Sequence, residues 1–157
     1  MKFDDYVPDN FTLQWHITDT CNFRCSHCYQ DNYSSRGETL ENWKEILHQF
    51  LALVSIWRTK NPGIKIHINV TGGEPFTHPD FFSLLELFHA NKKKFSYGIL
   101  SNGSLLNSEK SNRLKSLEPG FVQVSLEGGK KANDKIRGNG SFEKIRKGIR
   151  NLKKNNL

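Results

Sequence analysis

Along the chain the spacing of hydrophobic positions switches four times between a period of two and a period near 3.6, the signature of strands alternating with helices. Leu13, Trp15 and Ile17 alternate with Gln14, His16 and Thr18, predicting a first strand. Leu40, Trp43, Leu47, Phe50, Val54 and Trp57 then fall on one helical face behind Thr39, and Asn61-Pro62-Gly63 supplies a stop. Ile64, Ile66, Ile68 and Val70 alternate with Lys65, His67, Asn69 and Thr71 in a second strand that runs into Gly72-Gly73-Glu74-Pro75. Pro79 suits the first turn of the next helix, whose stripe is Phe81, Leu84, Leu85 and Phe88. A third strand is expected over residues 94–100, ending in Ser101-Asn102-Gly103, followed by a short helix capped by Asn107 or Ser108. Phe121, Val122, Val124 and Leu126 form a fourth strand, closed by Glu127-Gly128-Gly129. Beyond a polar loop, Ser141 is placed to cap a last helix with the stripe Phe142, Ile145, Ile149 and Leu152. Four successive βα units imply an α/β fold with a parallel sheet and right-handed crossovers.

Such sheets bind ligands at the carboxyl ends of their strands. Every unusual motif of this chain lies at one. The strand pattern also turns Gln14, His16 and Thr18, then His67, Asn69 and Thr71, then Gln123, Ser125 and Glu127, to the face opposite the helices. Ordinary parallel sheets are apolar on both faces, so this polar face predicts a wide or open barrel around a wet cavity, with a solvent-facing sheet as the simpler alternative. Trp15, Trp43 and Trp57 are assigned to the core.

Composition narrows the class without choosing a chemistry. With 157 residues, 36% hydrophobic and 25% charged, one folded domain is expected, and disorder is not. No apolar run reaches the roughly 18 to 20 residues of a membrane span. The N-terminus, Met1-Lys2-Phe3-Asp4-Asp5, puts acids where a secretory signal has its apolar segment, so a cytoplasmic location is expected. Of the net charge of +7, residues 130–157 hold ten Lys/Arg and two Asp/Glu, which leaves the remainder near neutral. That concentration reads as a solvated helix face, and nucleic acid is not expected as a partner.

All three cysteines, Cys21, Cys25 and Cys28, lie within eight residues. An odd, clustered set argues against a disulfide framework and for ligation of a soft centre: zinc, cuprous copper or an iron–sulfur cluster. A structural zinc wants four ligands, and His27 is the candidate fourth. A cluster held by three cysteines instead leaves one iron open to an exogenous ligand.

The run Cys21-Asn22-Phe23-Arg24-Cys25-Ser26-His27-Cys28-Tyr29 resembles the signature of the radical S-adenosylmethionine (SAM) superfamily. The resemblance continues through Thr71-Gly72-Gly73-Glu74-Pro75, Ser101-Asn102-Gly103, the segment 124–128 and Ile136-Arg137-Gly138-Asn139-Gly140-Ser141-Phe142. It implies a [4Fe-4S] cluster on Cys21, Cys25 and Cys28 and a SAM molecule whose reductive cleavage yields a 5′-deoxyadenosyl radical that takes hydrogen from a substrate. It further implies that Gly72 and Gly73 let the methionyl group approach, that Glu74 accepts from its ammonium, and that Pro75 directs the chain away. Ser125 and Arg137 match positions that reach the SAM carboxylate, and Glu127 a ribose-binding position where Asp is more usual. Asn102 lies near the ligand, and His27 fills a slot, often aromatic, beside the adenine. His16, His67, Asn69 and Gln123 are the candidate substrate-cavity residues.

The family's partial (βα) barrel has six units, and four are found here. The expected organisation is an N-terminal extension over residues 1–10 and an incomplete barrel over 11–157, as in an N-terminal portion of a longer enzyme. The segment from Ser125 to Phe142 is similar to the SPASM-type enzymes, many of which mature peptides or proteins. A peptide or protein substrate and an electron donor such as flavodoxin or ferredoxin are therefore the expected partners. The alternatives are a glycyl-radical activating enzyme and a truncated, non-catalytic metal-binding domain.

Overall fold

Four strands form one parallel sheet in the order β1-β2-β3-β4 in a computed structural model that describes residues 7–157. The strands are β1 (Asn10–His16), β2 (Lys65–Thr71), β3 (Ser96–Ser101) and β4 (Phe121–Val124). Between and after them run α1 (Leu40–Lys60), α2 (Phe81–Ala90), α3 (Ser108–Leu117), α4 (Lys130–Arg137) and α5 (Ser141–Lys154). The expected partial barrel of four βα units is thus present. Most of the expected N-terminal extension lies outside the described residues. Among the described residues no helix is long and apolar enough to cross a membrane.

Local chemistry accounts for most helix boundaries. The Thr39 hydroxyl accepts from the Asn42 amide at 3.2 Å, and Asn107 from that of Lys110 at 2.8 Å, so each satisfies an otherwise unpaired first-turn donor. Pro79 falls just before α2, whose cap position is Asp80, and not in its first turn. Ser141 is likewise the first residue of α5 and not its cap. The capping oxygen comes from Asp134 of α4, which accepts from Phe142 N at 2.8 Å. The polar loop expected before α5 is in fact the helix α4. Its sequence, Lys-Lys-Ala-Asn-Asp-Lys-Ile-Arg, has no apolar stripe to announce it. A buried amide substitutes for one: Asn133 is fully buried, accepts from Glu127 N at 3.1 Å and donates to Ser141 Oγ at 2.8 Å.

The helices cover one face of the sheet, where Ile66, Ile68, Val70, Tyr97 and Ile99 pack against Trp43, Leu47, Phe81, Leu84 and Phe88. Trp15 and Trp43 are core as expected, while Trp57 is half-buried and packs on Phe11 at 4.8 Å between ring centroids. The opposite face is polar, with one correction: Thr18 is buried, because its hydroxyl turns to the Ser35 carbonyl at 3.3 Å. On that face His67 lies flat on Phe121, 5.4 Å between centroids, and the Phe121 ring covers Gly98, where a Cβ would stand 2.4 Å from it. The lysines and arginines of α5 face solvent or its margin, as a solvated basic helix face requires.

The helix α5 is docked on the loop after β3 by a close backbone approach. A Cβ at Gly148 would lie 2.0 Å from the Gly103 carbonyl oxygen, which is backbone and cannot swing aside. Gly148→Ala is therefore expected to destabilise the fold by about 1–3 kcal/mol, as overpacking does. That loss lowers the melting temperature by several degrees at this chain length. An unchanged melting curve would show that α5 does not sit on this loop.

Candidate functional site

The segment from residue 17 to residue 39 leaves the carboxyl end of β1 and carries the three cysteines. Its first residues extend the β1–β2 ladder beyond the strand ends: Ile17 N donates to Thr71 O (2.9 Å), Gly73 N to Thr18 O (2.7 Å) and Glu74 N to Thr20 O (2.9 Å). Contact this close explains the glycines. A Cβ would stand 2.5 Å from Thr18 O at Gly72, and 2.5 Å from Asp19 O and from Thr20 O at Gly73. The nearest demand on the Gly-Gly pair is thus the backbone of the cysteine loop, although both residues also line the cavity below.

Glu74 departs from its expected place. Its carboxylate is fully buried and does not line the cavity. One oxygen accepts from Ser101 Oγ (2.8 Å) and Phe76 N (3.3 Å), the other from Asn102 N (2.7 Å). Burial pushes its carboxyl above the usual range, against the pull of those three donors. The side chain therefore ties β2 to the end of β3, with no oxygen turned to a ligand's ammonium. Pro75 is also buried and opens a short 3-10 turn, Pro75–Thr77.

A cavity of about 320 Å³ opens at the carboxyl ends of the strands, lined by all three cysteines. Around it stand Phe23, His27, Gly72, Gly73, Asn102, Gln123, Ser125 and Arg137. Cys21 Sγ accepts from Phe23 N at 3.4 Å and is approached by Asn102 Nδ2 at 3.8 Å. Asn102 also donates to Asn22 Oδ1 at 2.9 Å, which fastens the β3 end to the cysteine loop. Arg137 Nη1 lies 4.0 Å from Cys25 Sγ. Burial raises the Cys21 and Cys25 thiols, and Arg137 opposes that rise at Cys25.

The donor set discriminates between the soft centres. Among the described residues no three His, Cys, Asp or Glu side chains gather closely enough to hold one metal ion. With Zn–S near 2.3 Å, tetrahedral zinc needs sulfurs about 3.8 Å apart. Thiolates that bind different irons of one cluster stand farther apart. Three thiols spread around one cavity, with N–H groups and a guanidinium turned to the sulfurs, fit an iron–sulfur cluster better than a single ion.

Glu127 does not line the cavity, but two residues that do are bound to it. Its Oε1 accepts from Arg137 Nη2 (2.5 Å) and Nε (3.2 Å) and lies 3.1 Å from His27 Nε2. These partners hold its carboxyl below the usual range, the Arg137 hydrogen bond first. Arg137 in turn is nearly buried, its side chain 10% exposed.

Of the four candidate substrate-cavity residues only Gln123 lines the cavity. His16 is held by Asp19 (2.8 Å) and Tyr29 (3.4 Å) at its rim. His67 is satisfied by Ser96 (2.8 Å) and Asn69 (3.0 Å), so both residues belong to the sheet's polar face below it. Phe23, Tyr29, Gln30, Thr71, Leu100 and Ser101 line the cavity without having been singled out as site residues. Phe23, Tyr29, Thr71 and Ser101 stand inside motifs that the sequence did mark, whereas Gln30 and Leu100 carry no signal of their own.

The family described as the Radical SAM superfamily matches residues 15–157. Mycofactocin maturase MftC of Mycobacterium tuberculosis is 30% identical over 154 residues, covering 96% of this chain and 36% of its own. Among solved structures, native anSMEcpe with bound AdoMet and Cp18Cys peptide superposes with a TM-score of 0.74 at 22% identity, over 96% of this chain and 41% of the other. Streptococcus suis SuiB bound to the precursor peptide SuiA gives a TM-score of 0.64 at 22% identity, over 86% of this chain and 28% of the other. The chain thus spans little more than a third of the length of the mycofactocin maturase it matches.

Proposed function

The chain belongs to the radical SAM superfamily, whose members use a [4Fe-4S] cluster and SAM, and from that premise we propose that it acts on a peptide or protein substrate in maturation. The observation that carries the cofactor part is the cavity at the strand ends, where three cysteine thiols face Arg137, Ser125 and the Gly72-Gly73 backbone. The peptide part is supported by the maturase name of one relative and by the peptides bound in two structural neighbours. When bound, the cluster supplies the electron that cleaves the SAM sulfonium to methionine and a 5′-deoxyadenosyl radical.

The residues of the chain do the binding and orienting. Cys21, Cys25 and Cys28 hold the cluster, losing their protons as they ligate. The backbone N–H of Phe23 and the side-chain amide of Asn102 face Cys21 Sγ and stabilise its thiolate form. The Arg137 guanidinium and the Ser125 hydroxyl offer donors suited to a carboxylate on the β4 side of the cavity. The imidazole of His27, held by Glu127, presents a flat ring for a base.

The test is anaerobic reconstitution with iron and sulfide, addition of SAM, reduction with dithionite, and chromatography of the products. Formation of 5′-deoxyadenosine only in the complete mixture is the expected result. A reconstituted cluster whose electron paramagnetic resonance (EPR) signal does not change with SAM would overturn the assignment.

A further inference from the structure

Glu127 does not line the cavity, yet it holds two polar residues that do, Arg137 and His27. Its Oε1 collects Nε and Nη2 of Arg137 together with Nε2 of His27, one hundred residues away in sequence. Committing Nε and Nη2 to one oxygen fixes the guanidinium plane, which leaves Nη1 as the nitrogen directed at Cys25 Sγ, 4.0 Å away. The backbone repeats the linkage. Ser26 N donates to Ile136 O of α4 at 2.9 Å, so adjacent residues between Cys25 and Cys28 are docked, one on α4 and one on Glu127 before it. Glu127 is itself placed by Asn133, whose Oδ1 accepts from its amide at 3.1 Å. The order of attachment runs from the buried Asn133 of α4 to Glu127, and from Glu127 to Arg137 and His27.

From this arrangement we infer that Glu127 is a positioning residue: it aims Arg137 into the cofactor cavity and holds His27 against the cysteine loop, instead of binding the ribose itself. A shorter Asp at this position would lose about one methylene of reach, so it could not serve two partners that already stand 2.5 Å and 3.1 Å from a single glutamate oxygen. The choice of Glu over Asp thereby acquires a physical reason. The inference rests on the cofactor assignment above, with a role for Glu127 that the assignment does not require.

The experiment compares wild type with Glu127→Gln, Glu127→Asp, Arg137→Gln and the Glu127→Gln/Arg137→Gln double variant. Each is reconstituted anaerobically, and iron content, SAM dissociation constant and the SAM-dependent change in the EPR signal are measured. Both Glu127→Gln and Arg137→Gln are expected to keep wild-type iron content and to weaken SAM binding about tenfold. Since Glu127 acts through Arg137 and His27, the double variant should lose less than the product of the two single losses, and Glu127→Asp should resemble Glu127→Gln. Unchanged SAM affinity in Glu127→Gln, or losses that multiply in the double variant, would overturn the positioning role while leaving the cofactor assignment intact. Loss of iron from Glu127→Gln, with a normal melting curve, would also overturn it, because Glu127 would then be needed for the cluster itself. Failure of the wild-type protein to bind SAM at all would instead overturn the cofactor assignment on which the inference stands.

Discussion

Cys25→Ala is expected to abolish cluster assembly. After anaerobic reconstitution the wild-type chain should bind iron and sulfide in equal amounts and turn brown, and the variant should stay colourless. Three cysteines are the whole thiol content of the chain, so losing one leaves two thiolates and no substitute. Neighbouring side chains cannot take over: among the described residues no other group of His, Cys, Asp or Glu is assembled to bind a metal. The thiols are only partly buried, and the loop is anchored by Gly73, Glu74 and Asn102, so removing one sulfur should leave the apoprotein folded. An unchanged far-ultraviolet spectrum with no chromophore is the predicted pair of readings. A full, SAM-responsive cluster in the variant would refute the assignment of Cys25.

Glu74→Gln is expected to destabilise the apoprotein by about 2–4 kcal/mol, the range for spoiling a buried, hydrogen-bonded charged group. Both carboxylate oxygens accept, from Ser101 Oγ, Phe76 N and Asn102 N. A carboxamide has one oxygen, so its NH2 must face a backbone donor of this fully buried site and leave that donor unpaired. The midpoint of thermal unfolding should fall by on the order of 10 °C with no iron or SAM present. This outcome separates two roles for the same residue. A ligand-binding Glu74 would give an unaltered apoprotein and a weaker SAM complex, whereas a structural one weakens the apoprotein first.

The strands and four of the five α-helices among the described residues were readable because each is written in a short stretch of chain. Ile66, Ile68 and Val70 alternate, and Trp43, Leu47, Phe50 and Val54 recur at helical spacing, since both faces are decided by what packs on the sheet. The cysteine loop was readable for the same reason, its three thiols lying within eight residues. The helix α4 was not, because it is stabilised by Asn133 and Asp134 bonding across to Glu127, Ser141 and Phe142 and not by an apolar stripe. Nor was the role of Glu74: the motif announces a carboxylate beside two glycines, but whether its oxygens face a ligand or the protein depends on Ser101 and Asn102, some 27 residues away.

By itself the sequence determined the order of the strands and of four helices, the parallel topology, the placing of each motif at a strand's carboxyl end, and the gathering of three cysteines in one short stretch. Each of these follows from periodicity or from chemistry held in a short stretch of chain. Tertiary structure alone decided how the polar residues divide between cavity and scaffold. It buried Glu74, set Glu127 behind Arg137 and His27, and took His67 and Asn69 into the sheet's own hydrogen bonds. The physical reason is that a side chain's hydrogen-bond partners are chosen by proximity in space, and here they come from as far as one hundred residues along the chain.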